Sequence, residues 1–230
     1  MALGGKTLQD LLAPISEQQG RKAPATSIYK PEEWSPTPVR ATDGLSRDEL
    51  VSMFAEEAKK VRVDVHRCSA EELASCVAGI VAEGEGGSVV VADDDRLSAA
   101  GVAEALRGVA GVTDVLVWDA EKGRDNVEAA RVALYGVTYA SAGIAETATV
   151  AQPTNARCGR SISLLPLHHI AVVDAKSIVG TMGDVLKRLD KGALPSQMCF
   201  ISGPSATADI ELVRVEGVHG PMYVHYVIVG

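Results

Sequence analysis

Between Ser46 and Gly136, short apolar runs alternate with amphipathic stretches of helical period, and this alternation narrows the fold more than any other feature. The run Ser88–Ala92 is too short for a buried helix, and its three adjacent valines suit a strand covered on both faces. Ser46 and Glu49 form a capping box ahead of Leu50, Val51, Phe54, Ala58 and Val61, which recur at helical spacing. A second box, Ser69 with Glu72, opens a helix whose inner face is Leu73, Cys76, Val77, Ile80 and Val81. The same reasoning predicts strands at Val61–Val65 and Val112–Trp118. It predicts further helices over 97–108, ending at Gly108, and over 126–134, stopped by Gly136. Helix and strand in turn, at these lengths, are the pattern of β-α units around a parallel sheet.

Beyond Gly136 the pattern becomes richer in strands. Val137–Ser141, Ile144–Ala151 and Ser161–Leu165 read as a hairpin-like meander. Ile170–Asp174 reads as a buried strand, and 178–190 as a helix with Gly192 just past its end. Strands follow at Met198–Ser202, Ile210–Val215 and Tyr223–Val229. The expected class is α/β, with a parallel-sheet core and its helices leading into a β-rich second half.

Residues 1–45 read as a region apart from the α/β domain at 46–230. Leu8, Leu11, Leu12 and Ile15 suit a short helix, and Pro24, Pro31, Pro36 and Pro38 then force an extended arm. Tyr29 and Trp34 predict that the arm docks, either on this chain's own body or on a partner subunit, which includes a second copy of the chain.

Composition excludes several function classes. Of 230 residues, 47% are hydrophobic and 23% charged, which excludes a disordered or collagen-like chain. The net charge of −8 repels phosphate backbones, so no nucleic-acid partner is expected. No apolar run approaches the ~20 residues that span a bilayer. Lys6 and Asp10 do not suit a signal peptide, and a cytoplasmic location is expected. Cys68, Cys76, Cys158 and Cys199 lack the spacing that holds zinc or an iron–sulfur cluster, and read as reduced thiols. No nicotinamide or flavin fingerprint occurs, so no cofactor is evident and no metal site is expected.

Three segments are candidates for chemistry. Asp93-Asp94-Asp95 follows a strand, where carboxylates could bind a cation or a ribose. Consecutive carboxylates rarely converge on one ion, however, and a solvated loop capping the next helix is the favoured reading. Gly84–Gly87 precedes a strand and reads as a turn, not a phosphate cradle. In Gly143–Thr149, Glu146 is either a tuned nucleophile or base, or a structural carboxylate bonded to backbone amides; the residues leave both open. The third segment, Ser202–Glu211, runs through Gly203-Pro204 into Ser205 and Thr207, with Asp209 and Glu211 at alternate positions. His219 follows, set beside Gly220 and Pro221.

The site expected from these segments has Glu146, His219 and Asp209 as catalytic groups. Thr147, Ser202, Gly203, Ser205, Thr207, Glu211 and Gly220 would hold a small carboxylate or phosphate. Ile144, Val150, Ile201, Ile210 and Val215 are spaced to lie in the sheet, which would hold these loops at strand ends facing one cleft. His66, His168, His169 and His225 read as structural.

Ser202–Glu211 followed by Gly217–Pro221 resembles the signature of the LUD domain, of the lactate-utilisation protein C type. Gly143–Thr149, Arg160–Pro166 with His169–Val173, and the proline-rich arm with Glu33-Trp34 are similar to its other blocks, although Ala148 stands where a glycine is usual. The resemblance implies a fold like those of ribose-5-phosphate isomerase and the coenzyme A transferases. It implies a subunit of a lactate-utilisation system that oxidises L-lactate to pyruvate together with iron–sulfur partner proteins. A stand-alone transferase or isomerase acting on a small carboxylate or phosphate is the alternative, because fold relatives use a glutamate to form an acyl intermediate.

Overall fold

The computed structural model describes residues 7–23, 40–189, 194–207 and 215–230. They divide between Arg40 and Ala41 into two units. In the first, helix α1 (Leu8–Gln18) is opened by a capping box between Thr7 and Asp10. Tyr29, Trp34 and the proline-rich arm lie outside the described residues.

The second unit begins with the capping box expected of Ser46 and Glu49. It opens α2 (Arg47–Lys60), which buries Val51, Phe54, Ala55 and Ala58. Strand β1 (Val63–Cys68) follows. Helix α3 (Leu73–Glu83) starts with Glu72 at its cap, and only half of the second box forms. The Ser69 amide donates to the Glu72 carboxylate at 3.0 Å, but no side chain caps the helix in return. Strand β2 (Gly87–Val91) carries the three valines. The helix expected over 97–108 is two, α4 (Asp95–Ala99) and α5 (Val102–Arg107), because Gly101 takes a φ of +72° and breaks the run. Strand β3 (Val112–Val117) and helix α6 (Arg124–Val132) complete this half.

Gly136 does not stop α6. It lies inside β4 (Tyr135–Tyr139), where a Cβ would stand 1.9 Å from the Ile162 carbonyl oxygen. That contact also explains a second correction. Ser161–Leu165 is not a strand, for α7 (Ser161–Leu164) crosses β4 at the bare glycine. The segment 144–151 is likewise divided. Strand β5 (Ala142–Ile144) ends in a tight 3-10 turn, Ala145–Thr147, before β6 (Thr149–Thr154). Strand β7 (His168–Asp174) leads to β8 (Ile178–Val179) and α8 (Met182–Arg188), where a single helix was expected. Strands β9 (Gln197–Ile201), β10 (Ala206–Thr207), β11 (Val215–Glu216) and β12 (Tyr223–Val229) follow.

Among the described residues these strands form three sheets. The main one has the order β1-β12-β7-β4-β2-β3, with every neighbouring pair parallel. The others are a four-stranded sheet, β8-β5-β6-β9, and the hairpin β10-β11. One core packs α3 and α5 on one face of the main sheet around Val77, Val89 and Leu106, and continues to α6 and α7 on the other around Val90. A second packs α2 on the other face, where the Phe54 and Tyr226 rings stack at 5.3 Å. Burial of these apolar surfaces is the main force holding the layers together.

Imidazoles fill the amino-terminal half of the main sheet. His168 is sandwiched between Tyr135 and Tyr223, with 4.5 Å between centroids on each side. His225 meets it at 3.3 Å. His169 is buried on the opposite face and bonded to Thr138 at 2.9 Å. Burial keeps these rings neutral, lowering His225 to about 4 and His169 to about 3.

Candidate functional site

The Ser202–Ser205 segment is tied into the fold by backbone contacts that demand small residues. Gly203 has a φ of +80°, and a Cβ there would lie 2.5 Å from the Val61 carbonyl oxygen. Its amide donates to the Tyr226 hydroxyl at 3.3 Å. That hydroxyl in turn lies 2.8 Å from the Ile201 carbonyl and 3.0 Å from that of Ala148. One buried phenol therefore fastens the turn after β9 to the turn before β6. Ala148 holds a left-handed φ of +47°.

Glu146 and Thr147 are exposed on the 3-10 turn, and the Glu146 amide donates to Gly180 at 3.2 Å. A hydroxyl chain leads from Thr147 to Thr149 at 2.7 Å and on to Ser202. At the other end of the loop, the Ser205 amide donates to Pro221 and the Gly217 amide to Ser205, both at 2.9 Å. A Cβ on Gly220 would lie 3.1 Å from that of Ser205. Thr207 pairs with Val215 in the hairpin, and His219 is exposed. Thus Thr147 connects through Thr149 to Ser202 at one end of the segment, and Gly220 and Pro221 meet Ser205 at the other. Asp209, Glu211 and Ile210 lie outside the described residues.

The position of this loop differs from the expectation. Val61 precedes β1 and Pro221 precedes β12, so the loop rests on the amino ends of the parallel strands. Open parallel sheets collect ligands at the carboxyl ends. The expected apolar flanks do not share one sheet either. Ile144, Val150 and Ile201 belong to the four-stranded sheet, and Val215 to the hairpin.

A cavity of about 400 Å³ opens at those carboxyl ends. From β2 the chain moves outward to β3, then returns to β4 on the other side and continues through β7. The β2 and β4 loops leave in opposite directions, and a crevice at such a switch point follows from topology. Asp93, Asp94, Asp95 and Arg96 line it after β2, Tyr139 and Ser141 after β4. Gln152, Asn155, Arg157 and Cys158 close it from β6 and the loop beyond.

Two guanidinium groups organise the three carboxylates. Arg157 binds Asp93 through Nε at 2.7 Å and Nη2 at 2.9 Å, and reaches Asp95 at 2.6 Å. Its hydrogen bonds hold both carboxyls below their ordinary range. Arg96 binds Asp94 at 2.9 and 2.7 Å and lies 3.6 Å from the centre of the Tyr139 ring. Burial raises Asp94, but the Arg96 bonds outweigh it and leave the group below its usual value. Asp94 also caps α4 through the Arg96 amide, as the favoured reading of the triplet expected. Burial pushes the Cys158 thiol up to about 12, so it is neutral at ordinary pH.

Sequence reasoning met the triplet but not the cavity. The missing partner, Arg157, is more than sixty positions away. The available signal was Gln152, an amide that follows Val150 and Ala151 in a buried strand. It is 4% exposed, and its Oε1 has no hydrogen-bond partner among the described residues. Among those residues no group of three or more His, Cys, Asp or Glu side chains is placed to hold a metal ion, and no helix is long and apolar enough to cross a membrane.

The family model of the LUD domain matches residues 51–229. A lactate utilization protein C from Anoxybacillus flavithermus is 33% identical over 223 residues, spanning 96% of this chain and 99% of its own length. One from Geobacillus thermodenitrificans is 35% identical over 226 residues, spanning 95% and 94%. The crystal structure of a DUF162 family protein from Deinococcus radiodurans superposes with a TM-score of 0.56 at 22% identity. It covers 81% of this chain and 99% of its own, a likeness of fold.

Proposed function

The chain belongs to the LUD domain family, and from that premise we propose that it serves lactate utilisation as a subunit working beside iron–sulfur partner proteins. In this reading the partners carry electrons away as L-lactate becomes pyruvate, and this chain supplies a substrate pocket or an assembly surface in the cytoplasm. The observation that carries the reading is the coextensive match to lactate utilization protein C, which spans nearly all of both chains. The expected site residues belong to the same proposal. Glu146, His219 and Asp209 act on the ligand; Thr147, Ser202, Gly203, Ser205, Thr207, Glu211 and Gly220 hold it. The arm around Trp34 docks on a subunit of the assembly.

The test is genetic and biochemical. A strain lacking this chain should fail to grow on L-lactate as sole carbon source while growing normally on pyruvate, and the intact gene should restore growth. Undiminished growth on L-lactate overturns the proposal. Tagged chain should also bring down iron–sulfur proteins from lactate-grown cells.

The alternative, a transferase acting through Glu146, draws on one observation: an exposed carboxylate on a turn whose backbone is fastened by Tyr226 and Gly180. A transferase nucleophile needs such exposure and fixed placement. Growth on L-lactate that survives the Glu146→Gln substitution removes this alternative and the role of Glu146 in the site, and leaves the subunit reading to the deletion test.

A further inference from the structure

We infer that the groove between α6, α7 and the loop after β6 is a binding site for a carboxylic acid with a ring-sized apolar body. This does not depend on the lactate reading, and it uses none of the residues proposed there.

The loop after β6 contributes to two cavities. Asn155, Arg157 and Cys158 line the acidic one, whereas Gly159 and Arg160 line a second, of about 450 Å³. The walls of the second are largely apolar. Trp118, Val127, Leu164 and Leu165 line it, and Val127 and Leu165 are left 40% and 44% exposed. The indole is fixed in place, since its Nε1 donates to the Ala156 carbonyl at 3.0 Å. Its outer ring rests on Gly159, where a Cβ would stand 2.2 Å from it. With the N–H already used, the indole offers an incoming molecule a rigid apolar surface. Apolar surface grouped in a concave wall favours an occupant that covers it.

Charge then narrows the occupant. Arg160 is the one charged side chain among the described residues that line this groove. Its Nη1 donates to Gln197 Oε1 at 2.9 Å, which orients the guanidinium from β9. Among the described residues, Nε and Nη2 have no partner and no carboxylate pairs with the group. Arg157, three residues earlier, differs, because two aspartates neutralise it. The Nε and Nη2 edge of a guanidinium matches the two oxygens of a carboxylate. The occupant is therefore an acid, held by its carboxylate at Arg160 and by its body against the indole. A cation is repelled, and a neutral molecule leaves Arg160 without a counter-charge. A three-carbon acid is too small to reach the guanidinium and cover the apolar wall together.

The experiment is isothermal titration of the full chain with 3-phenylpropionate, its neutral amide, phenethylamine and L-lactate. The acid should bind with a Kd below ~10 mM, and the amide at least about tenfold more weakly. Phenethylamine should not bind, and L-lactate at equal concentration should not displace the acid. Arg160→Gln should weaken the acid to the level of the amide while melting within a few degrees of the wild type. Leu165→Glu, which sets a negative charge on an exposed wall position, should weaken the acid by about tenfold or more. Arg107→Gln, exposed on α5 outside the groove, should leave binding unchanged. No binding of the acid up to ~10 mM overturns the inference. Equal binding of acid and amide also overturns it, a comparison made in the unaltered chain. So does phenethylamine binding as strong as that of the acid, displacement of the acid by L-lactate, or full-strength binding by a folded Arg160→Gln or Leu165→Glu chain.

Discussion

The two ends of the parallel sheet are built from opposite materials. At the amino ends, glycine turns, a buried phenol and neutral imidazoles lock segments by close backbone approach, with the Arg62–Glu216 pair at the surface. At the carboxyl ends, between β2 and β4, charged side chains ring an open cavity and face water. The first arrangement holds shape, and the second leaves unmet hydrogen-bonding capacity. A conspicuous run of small residues can thus mark a fastening as readily as a ligand site. A cavity can be assembled from residues scattered through the chain.

Acid should separate the two ends most sharply. In the unfolded chain an imidazole takes up a proton near pH 6.5, whereas folded His225 does so only near 4 and His169 near 3. The stability that comes from keeping them neutral is full above pH 6.5 and lost as pH falls from there toward 4. Lowering pH from 7 to 5 should remove on the order of 3 kcal/mol, read as a shift in the urea midpoint. The cavity loses stability in the same sense, but in a lower window of pH. Asp93, Asp94 and Asp95 have folded values below 3.8, so their contribution is present above that value and lost only at lower pH. Equal urea midpoints at pH 7 and 5 would break the contrast.

Tyr226→Phe probes the fastening itself. Removing one hydroxyl leaves the Gly203 amide and two carbonyls with a lost partner in a buried setting. A loss of about 2 kcal/mol is expected, with the ring stack on Phe54 retained. A change below ~0.5 kcal/mol would mean that the hydroxyl fastens nothing. The smallest effect belongs to Arg157→Ala. Its ion pairs join side chains that are 46%, 37% and 86% exposed, and such pairs contribute little. Stability within about 1 kcal/mol of the wild type is expected, and a larger loss in thermal or urea unfolding would make the cavity rim part of the scaffold.

Much of this architecture is legible from local signals. The capping box at Ser46, the valines of β2 and the apolar run of β7 each specify one element through contacts within a few residues. Reading fails where distant contacts decide. Ser161–Leu164 has the composition of a strand, yet Gly136 offers its helix a place to cross that only the assembled sheet reveals. Gly101 shows no local sign that its φ will be positive. In the candidate site, the pairing of Thr149 with Ser202 brings together two motifs that were visible separately. The Asp93–Arg157 partnership joined a visible motif to an unremarked arginine.

The placement of β12 has a consequence for how the chain is made. It runs between β1 and β7, so the earliest strand of the sheet borders one of the most downstream. During synthesis β1 emerges about 160 residues before that neighbour, roughly ten to thirty seconds at ordinary elongation rates. Throughout that interval β1 has no partner in the sheet, and β7 has one bare edge. Those edges stay open until residues 223–229 leave the ribosome, and closure of the sheet is then a late insertion rather than a sequential winding.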